Sequence, residues 1–406
     1  MTRGGRLAHL TQVGGLYVLL ALLPFSKAAV EICFGVLLGG WVAERVHPAT
    51  RAHTIWRAPQ QRPLLAALIG YLAVCALSIL GSSFPEKSVR GLVGKWLEYL
   101  LYLLIVADVG SRPGVARRGM SALALGAGAV ALQAIVQETQ IVALTLQRAT
   151  YPHSPLGFYG RMTGPYENPI DLATYLMVVI PILMASWTTC RTVGRWLIGF
   201  LLVLLIGCLG RTQALGAWLG LGIGLPVLLW RQQVSRVWRA VVVGTLPVAA
   251  LVVLFVAGRP GVLSLMDRGA QDRWIMWQAA IRMIQDRPWL GHGVNTFMAN
   301  YLHYRVGGET TPRYAHNCYL QVAAETGLIG LAAFLWLLWR IGCHLVRGVR
   351  QAGGERRTLL LGLGGGLLAF LVQAGLDTNF YALRQAALFW VLSGLAIGLS
   401  CHQREA

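Results

Sequence analysis

The sequence predicts an all-α protein that crosses a membrane many times. Of its 406 residues, 56% are hydrophobic and 13% are charged, about half the charged fraction of a typical soluble domain. Many apolar runs are about twenty residues long, and a helix of that length spans the ~30 Å hydrocarbon core of a bilayer. We therefore expect a polytopic α-helical membrane protein rather than a soluble helical one.

The apolar runs are separated by polar connectors, and we count about twelve spans. We expect an uncleaved first span because Arg3 and Arg6 precede an apolar run that lacks a small-residue cleavage site. The predicted spans cover residues 8–24, 27–44, 63–81, 91–109, 119–137 and 169–189, a seventh that ends near Gly210, and then 213–230, 240–257, 317–339, 358–376 and 381–400.

Glycines recur in two of the late spans. Gly216, Gly220 and Gly224 are four residues apart in span eight, and small residues so placed let membrane helices approach closely. The glycine-rich run 362–366 in span eleven is interpreted in the same way, as helix packing rather than a phosphate-binding loop.

The short arginine-rich connectors fall on one side of the membrane when both termini are placed in the cytoplasm. The chain then divides into spans one to nine at 1–257, a long outer loop at 258–316, and spans ten to twelve at 317–406. The connectors assigned to the outer side are 24–27, 82–90, 138–168, 210–213, 258–316 and 377–380.

The outer loop 258–316 resembles neither a span nor a short connector. Apolar residues spaced by three, four and three predict a helix over 267–286, which Pro288 ends. A second short helix is expected over 295–304, so the loop is predicted to be a packed helical lid. The residues of the apolar stripe are Trp274, Trp277, Ile281 and Ile284.

The net charge of +19 does not indicate nucleic acid as a partner. The basic residues are mostly single arginines between spans, with no interleaved aromatic platform. The sequence contains no CxxC, HExxH or GxSxG motif, and no DxD motif in an outer loop. We therefore expect neither a metal site nor a cofactor.

Positive charge on the outer side runs against the usual bias and needs its own explanation. Guanidinium groups match phosphate oxygens in bidentate geometry, so a diphosphate at the membrane surface is a natural ligand. Arg211 is the strongest candidate because it lies between two spans with no acid close in sequence. The outer cations are Lys87, Arg90, Arg148, Arg161, Arg211, Arg259, Arg268, Arg273, Arg282, Arg287, Arg305, Arg313 and Arg384. For any single one of the others, a plain alternative is pairing with Asp267, Asp272, Asp286 or Glu309, or with a lipid headgroup.

A second polar element covers residues 161–169. Gly164 and Pro165 predict a turn, and Asn168 can cap the helix that follows. Arg161 and this polar run could equally line a binding pocket, and the sequence does not decide between a turn with a cap and a pocket.

His316 lies where the outer loop meets span ten, followed by Asn317 and Tyr319. Neighbouring arginines disfavour a protonated imidazole, and a neutral one can act as a general base, typically worth about 10²–10⁴ in rate. The alternative is a capping or interfacial histidine. Glu325 lies inside the apolar run, where a charge costs roughly 2.5–3.5 kcal/mol on insertion scales, so we expect it to have a partner or a role.

Taken together, these residues resemble the O-antigen ligases, within the superfamily shared with O-antigen polymerases and protein O-oligosaccharyltransferases. The resemblance includes the twelve-span layout with its large late loop. The motifs that carry it are Arg211 with Leu215, the run 272–277, the run 286–293 with Phe297, and the runs 316–320 and 325–330. Gly327 stands eleven residues after His316, where descriptions of the family place a glycine at about ten.

The resemblance implies a GT-C-type fold and a metal-independent, inverting transfer of a glycan. The donor would be undecaprenyl diphosphate-linked O-antigen, and the acceptor a sugar hydroxyl of lipid A-core, with membrane lipids as further partners. The protein would lie in the inner membrane of a Gram-negative bacterium, with its active site on the periplasmic side.

The resemblance also implies roles for individual residues. His316 would deprotonate the acceptor, and Arg211, with Arg161, Arg268 or Arg273, would hold the diphosphate. Further candidates for substrate binding are Lys87, Asn168, Asn317, Tyr319 and Glu325.

Three other interpretations compete with the ligase. An O-antigen polymerase would use the same chemistry, but one outer loop dominates here, which favours the ligase. A protein glycosyltransferase would have a larger C-terminal part. A lipid or glycan transporter would show inverted repeats and charges near the middle of the membrane, whereas the charges here gather at one face.

Overall fold

The computed structural model describes residues 3–46, 54–150, 161–229, 262–307, 311 and 313–401. Every regular element within these ranges is helical, which confirms the predicted all-α class. The helices are α1 (Arg3–Leu22), α2 (Lys27–Val46), α3 (Arg62–Leu80), α4 (Pro85–Gly91), α5 (Glu98–Gly110), α6 (Val115–Thr150), α7 (Pro169–Thr189), α8 (Thr192–Thr212), α9 (Leu215–Gly224), α10 (Val262–Asp286), α11 (Phe297–Tyr304), α12 (Cys318–Gln351), α13 (Gly354–Ala374) and α14 (Leu383–Cys401). Short turns of other helix types lie at Ile55–Arg57, Pro59–Gln61, Leu92–Leu97, Leu225–Leu229 and Asn379–Tyr381.

Seven helical segments in the described part of the chain are long and apolar enough to cross a membrane. They are Pro59–Leu80, Val115–Gln140, Pro169–Thr189, Thr192–Thr212, Cys318–Gln351, Gly354–Ala374 and Leu383–Cys401. Two shorter apolar helices cover Leu7–Leu22 and Leu215–Leu228. The protein is therefore a multi-pass membrane protein. The count of twelve stays a prediction, and the predicted span 240–257 lies outside the described residues.

Two predicted boundaries were wrong. The connector predicted at 138–168 is helical in its first part, because α6 continues to Thr150. Residues 138–150 contain neither glycine nor proline, so nothing local ends the helix before it reaches the polar run. Likewise α12 extends to Gln351, well beyond the predicted end at 339.

The chain divides into two compact units, each assembled from segments that are distant in sequence. The first unit draws on 1–51, 112–253 and 352–370, and the second on 52–111, 254–351 and 371–406. The chain thus passes between the two units several times, so neither unit corresponds to one continuous stretch of sequence.

In the first unit, α1 packs against α2 and α6, and α7 packs against α8 and α9. Glycines let α9 approach α13 closely, as predicted. A Cβ atom at Gly224 would lie 2.3 Å from the Gly365 carbonyl oxygen, and one at Gly220 would lie 2.7 Å from that of Ala369. A side chain at either position would force the two helix backbones apart.

In the second unit, α14 lies along α5 and α12 lies along α3. The predicted loop helices are confirmed as α10 and α11, and both pack against α12. The predicted apolar stripe of α10 is wrong, because Trp274 is 55% exposed and Ile281 is 38% exposed. A different face of α10 is buried, because α11 and α12 pack there, and it forms part of the core of this unit. The buried cluster consists of Met276, Ala279, Ala280, Met283, Phe297, Tyr301, Ala315 and Ala324.

Candidate functional site

Described parts of three predicted connectors, 82–90, 258–316 and 377–380, meet at one end of the second unit. The Arg287 guanidinium donates to the Gly81 carbonyl oxygen, and the Val294 N–H donates to Ser78 Oγ at 3.1 Å. Cys318 Sγ donates to the Asp377 carbonyl oxygen at 3.1 Å. The connectors are therefore tied to neighbouring helices by hydrogen bonds between side chains and backbone groups.

Helix α12 is interrupted at Gly327, which has φ of 71° and ψ of 179°. The loop crosses this break, because the Gly293 N–H donates to the Glu325 carbonyl oxygen at 2.8 Å and the Leu328 N–H donates to that of Pro288 at 2.7 Å. A Cβ atom at Gly327 would lie 2.1 Å from the Trp289 carbonyl oxygen, so only glycine fits. The motif runs 286–293 and 325–330 are thus physically interlocked.

His316 is paired with Asp377, a residue that the sequence analysis missed. The imidazole Nδ1 lies 2.9 Å from Asp377 Oδ1, and the same oxygen accepts a hydrogen bond from the Thr378 N–H at 2.8 Å. The signal available in the sequence was that the short connector 377–380 begins with an acid, opposite an outer side otherwise rich in cations.

The pKa of Asp377 is lowered even though its side chain is buried. Burial by itself would raise the pKa, but the hydrogen bond from His316 and the positive charge of an imidazolium more than offset this effect. The Thr378 N–H and the charge of Arg273 also lower the pKa. Asp377 is therefore an ionised partner for His316 at neutral pH.

The backbone around His316 is held in an unusual conformation. His316 has φ of 46°, in the left-handed region that non-glycine residues rarely adopt. Asn317 follows as the cap of α12, since its Oδ1 accepts from the N–H groups of Tyr319 and Leu320, both at 3.0 Å. A capping role was one alternative predicted for His316, but the residue that caps α12 is Asn317.

Two other candidates beside His316 also have protein partners. The Tyr319 hydroxyl donates to the Leu371 carbonyl oxygen at 2.7 Å. Glu325 is 1% exposed and accepts four hydrogen bonds, including one from the Tyr381 hydroxyl at 2.9 Å. The expected partner of Glu325 is therefore found, and its carboxylate is enclosed by protein.

The loop cations differ in their surroundings. Arg273 on α10 lies close enough to Asp377 to lower its pKa. Arg313 lies 3.8 Å from Asp272, and Arg287 lies 3.9 Å from Asp286, so these two follow the plain alternative of pairing with loop acids.

Two further predicted cations are Arg268 and Lys87. The side chain of Arg268 lies outside the described residues, although α10 includes its backbone. Lys87 is exposed, with its Nζ 5.1 Å from the centre of the Phe84 ring.

A second charged cluster lies in the first unit, at the end of α8. Arg211 Nη2 lies 2.6 Å from Glu138 Oε1, and the two side chains are 39% and 28% exposed. Arg161 reaches the same place, because its Nε donates to the Thr212 carbonyl oxygen at 2.8 Å. The N–H of Met162 donates to the Arg211 carbonyl oxygen at 3.2 Å. The structure thus brings together two of the predicted phosphate-binding arginines.

The segment 161–169 is fastened to the same helix ends. Gln137 Oε1 accepts from the N–H groups of Thr163 and Gly164 at 2.9 and 2.8 Å. Asn168 caps α7 as predicted, because its Oδ1 accepts from the Ile170 N–H at 2.9 Å. The turn with a cap is confirmed, and this segment places Arg161 at the end of α8, next to Arg211.

The fold and these clusters define a class of protein: a multi-pass membrane protein with a histidine–carboxylate pair in one unit and paired arginines in the other. Residues 200–335 match a family model described as O-Antigen ligase. The chain is 27% identical over 348 residues to an O-antigen ligase of Pseudomonas aeruginosa, which covers 85% of this chain and 79% of that protein. It is also 27% identical over 178 residues to a putative polysaccharide ligase of Rickettsia bellii, covering 40% of this chain and 42% of that protein.

The chain is thus similar to the O-antigen ligase family, through the model that matches residues 200–335 and through a relative at 27% identity. The matched region contains Arg211, Arg273, His316 and Glu325, so the residues that carried the resemblance lie within it. Arg211 and His316 belong to different units, and their meeting at one site stays a prediction.

Proposed function

We propose that the protein is an O-antigen ligase that transfers O-antigen from undecaprenyl diphosphate to a sugar hydroxyl of lipid A-core. The reaction would take place on the periplasmic face of the inner membrane of a Gram-negative bacterium. The observation that carries this proposal is the His316–Asp377 pair, in a chain whose residues 200–335 match the O-antigen ligase model.

The pair supports a general-base mechanism. With the Nδ1 proton directed at Asp377 Oδ1, Nε2 of His316 is left to accept a proton. It would take the proton of the acceptor hydroxyl as that oxygen bonds to the anomeric carbon of the donor. The bond from this carbon to the diphosphate breaks at the same time, and attack from the opposite face inverts the anomeric configuration.

The arginines would bind the leaving group. Departure of undecaprenyl diphosphate leaves negative charge on its phosphate oxygens, and fixed cations stabilise such charge as it develops. Arg211 and Arg161 are held side by side at the end of α8, and Arg273 lies near Asp377. We assign the diphosphate to Arg211 and Arg161, so the transfer would need no metal ion.

The test is transfer by purified protein from a defined lipid-linked glycan to purified lipid A-core, with and without chelator. His316→Ala should lower the rate by about 10²–10⁴. The exposed His303 provides the matched control, and His303→Ala should stay within about twofold of the natural protein. Transfer by His316→Ala at the natural rate would contradict the base assignment, and loss of activity with chelator would contradict the metal-independent mechanism.

A gene deletion separates the ligase from the alternatives. Loss of the lipopolysaccharide ladder, while lipid-linked O-antigen still forms, is the expected result. Core capped with single repeat units would instead indicate an O-antigen polymerase. Transfer by the purified protein in detergent would exclude a transporter as the explanation of the phenotype.

A further inference from the structure

Glu325 is a buried carboxylate that the proposed proton transfer does not use. Its side chain is 1% exposed, next to the break in α12. Burying a carboxylate is costly unless hydrogen-bond donors surround it, and here donors from three segments converge on it. They are the Asn295 N–H at 2.7 Å, the Tyr381 hydroxyl at 2.9 Å, and the Phe297 N–H and Gln321 Nε2 at 3.2 Å each.

One branch of this network leads to His316. Gln321 donates to Glu325 with Nε2, and its Oε1 accepts from the Ala315 N–H at 3.3 Å. Ala315 directly precedes His316, whose φ of 46° is a strained conformation. Such strain persists only where the surroundings fix the backbone from both sides. Gln321 fixes the preceding residue, and the cap formed by Asn317 fixes the following one.

A second branch leads to Asp377. Tyr381 donates its hydroxyl to Glu325, and its own N–H donates to the Thr378 carbonyl oxygen at 2.9 Å. Thr378 in turn donates its N–H to Asp377 Oδ1 at 2.8 Å. Tyr381 also meets Tyr314, with ring centres 6.1 Å apart, so the two branches touch each other as well.

We infer that Glu325 is a positioning residue for the His316–Asp377 pair, because it anchors the chain segments that carry both members. The family resemblance made Glu325 a candidate for substrate binding, but its enclosure by protein favours the indirect role. The inference rests on the proposed function only in giving His316 the role of base; the coupling of the two segments is a matter of geometry.

The experiment compares three variants in the transfer assay. Glu325→Gln keeps the volume of the side chain but turns an acceptor into a donor. Gln321→Ala cuts only the branch to Ala315 and leaves Glu325 three of its donors, so it decides the matter if Glu325→Gln does not fold. Ser78→Ala is the matched control, since it removes the buried acceptor of the Val294 N–H in the same unit.

Two measurements are made on each variant: kcat and KM for the acceptor, and hydrogen–deuterium exchange of the amides in 313–317. We expect Glu325→Gln and Gln321→Ala to lower kcat by about 10- to 100-fold with KM within about threefold. Exchange in 313–317 should rise by about tenfold or more in both. Ser78→Ala should change neither measurement.

Several outcomes would overturn the inference. Unchanged kcat in both variants would do so, and so would a raised KM at natural kcat, which indicates direct binding. An equal loss of kcat in Ser78→Ala would show that Glu325 acts only through the general stability of the fold. If His316→Ala proves active, the proposed base fails, but increased exchange in 313–317 of Glu325→Gln would still support the coupling.

Discussion

The cluster around His316 and Asp377 and the cluster around Arg211 and Glu138 differ in how many of their polar atoms have hydrogen-bond partners. Asp377 is buried and its Oδ1 takes part in three hydrogen bonds, and the Glu325 carboxylate accepts four. The pair of Arg211 and Glu138 is partly exposed and meets through one contact, and Arg211 Nε and Glu138 Oε2 are without a hydrogen-bond partner within the described ranges. One cluster is fixed, and the other can exchange partners.

This difference matches the two tasks in the proposed reaction. A general base needs one tautomer and one orientation, which a buried carboxylate provides. A cation that captures a diphosphate and later releases it needs a resting partner that is easily displaced. Partly exposed ion pairs contribute only about 0–1 kcal/mol, so a diphosphate could replace Glu138 at little cost.

The largest expected effect is at the fixed cluster. Asp377→Asn keeps the shape of the side chain but removes the charge that orients His316, so kcat should fall by about 10²–10³. Asp108→Asn is the control, because Asp108 is also a buried acid of the second unit but accepts from the Ile55 N–H at 3.0 Å. Steady-state transfer kinetics measure both. Natural kcat in Asp377→Asn would remove Asp377 from the mechanism.

The second-largest effect is expected at Arg211 and Glu138. It distinguishes the binding of diphosphate by Arg211 from the resting contact between these two side chains. Arg211→Ala should lower transfer by about 10²-fold, whereas Glu138→Gln should change it by less than about threefold. Arg195→Ala removes a similar charge from the first turn of the same helix and should leave transfer unchanged. Donor titrations in the transfer assay give these values. A loss in Glu138→Gln as large as in Arg211→Ala would mean that Glu138 is a permanent partner.

A third effect concerns stability rather than rate. Gly327→Ala places a side chain at φ of 71° and against the Trp289 carbonyl oxygen, so it should cost at least about 2 kcal/mol. Gly342→Ala on the same helix is the control, because a Cβ atom there meets nothing within 4 Å. Thermal unfolding in detergent compares the two variants. Equal unfolding temperatures would show that the break in α12 is not required.

The smallest effect is a pH dependence. Because the folded-state pKa of Asp377 is held below its ordinary 3.8, the carboxylate binds a proton less readily in the folded protein. Its stabilisation is fully present above about 3.8 and is lost as the pH falls through the folded-state pKa. The stability difference between the natural protein and Asp377→Asn should therefore shrink as the pH falls below about 3.8. A difference that disappears above pH 5 would contradict this assignment.

Much of the local structure could be predicted because local signals determine it. The helical conformation of α10, the cap at Asn168 and the close-packing glycines of α9 each depend on spacings within a few residues. Which face of α10 is buried depended instead on the helices that pack against it. The end of α6 could not be read in the same way. Residues 138–150 are polar enough to resemble a connector, yet they contain nothing that breaks a helix.

The sequence by itself determined the all-helical membrane class and pointed to His316 and Arg211, because residue type and placement between apolar runs are visible in one dimension. Only the tertiary structure decided their partners. Asp377 is 61 residues from His316 along the chain, and Tyr381 is 56 residues from Glu325. No local pattern relates such positions. Their contacts arise because helix packing brings distant connectors to one end of a unit, where buried polar groups must find hydrogen-bond partners.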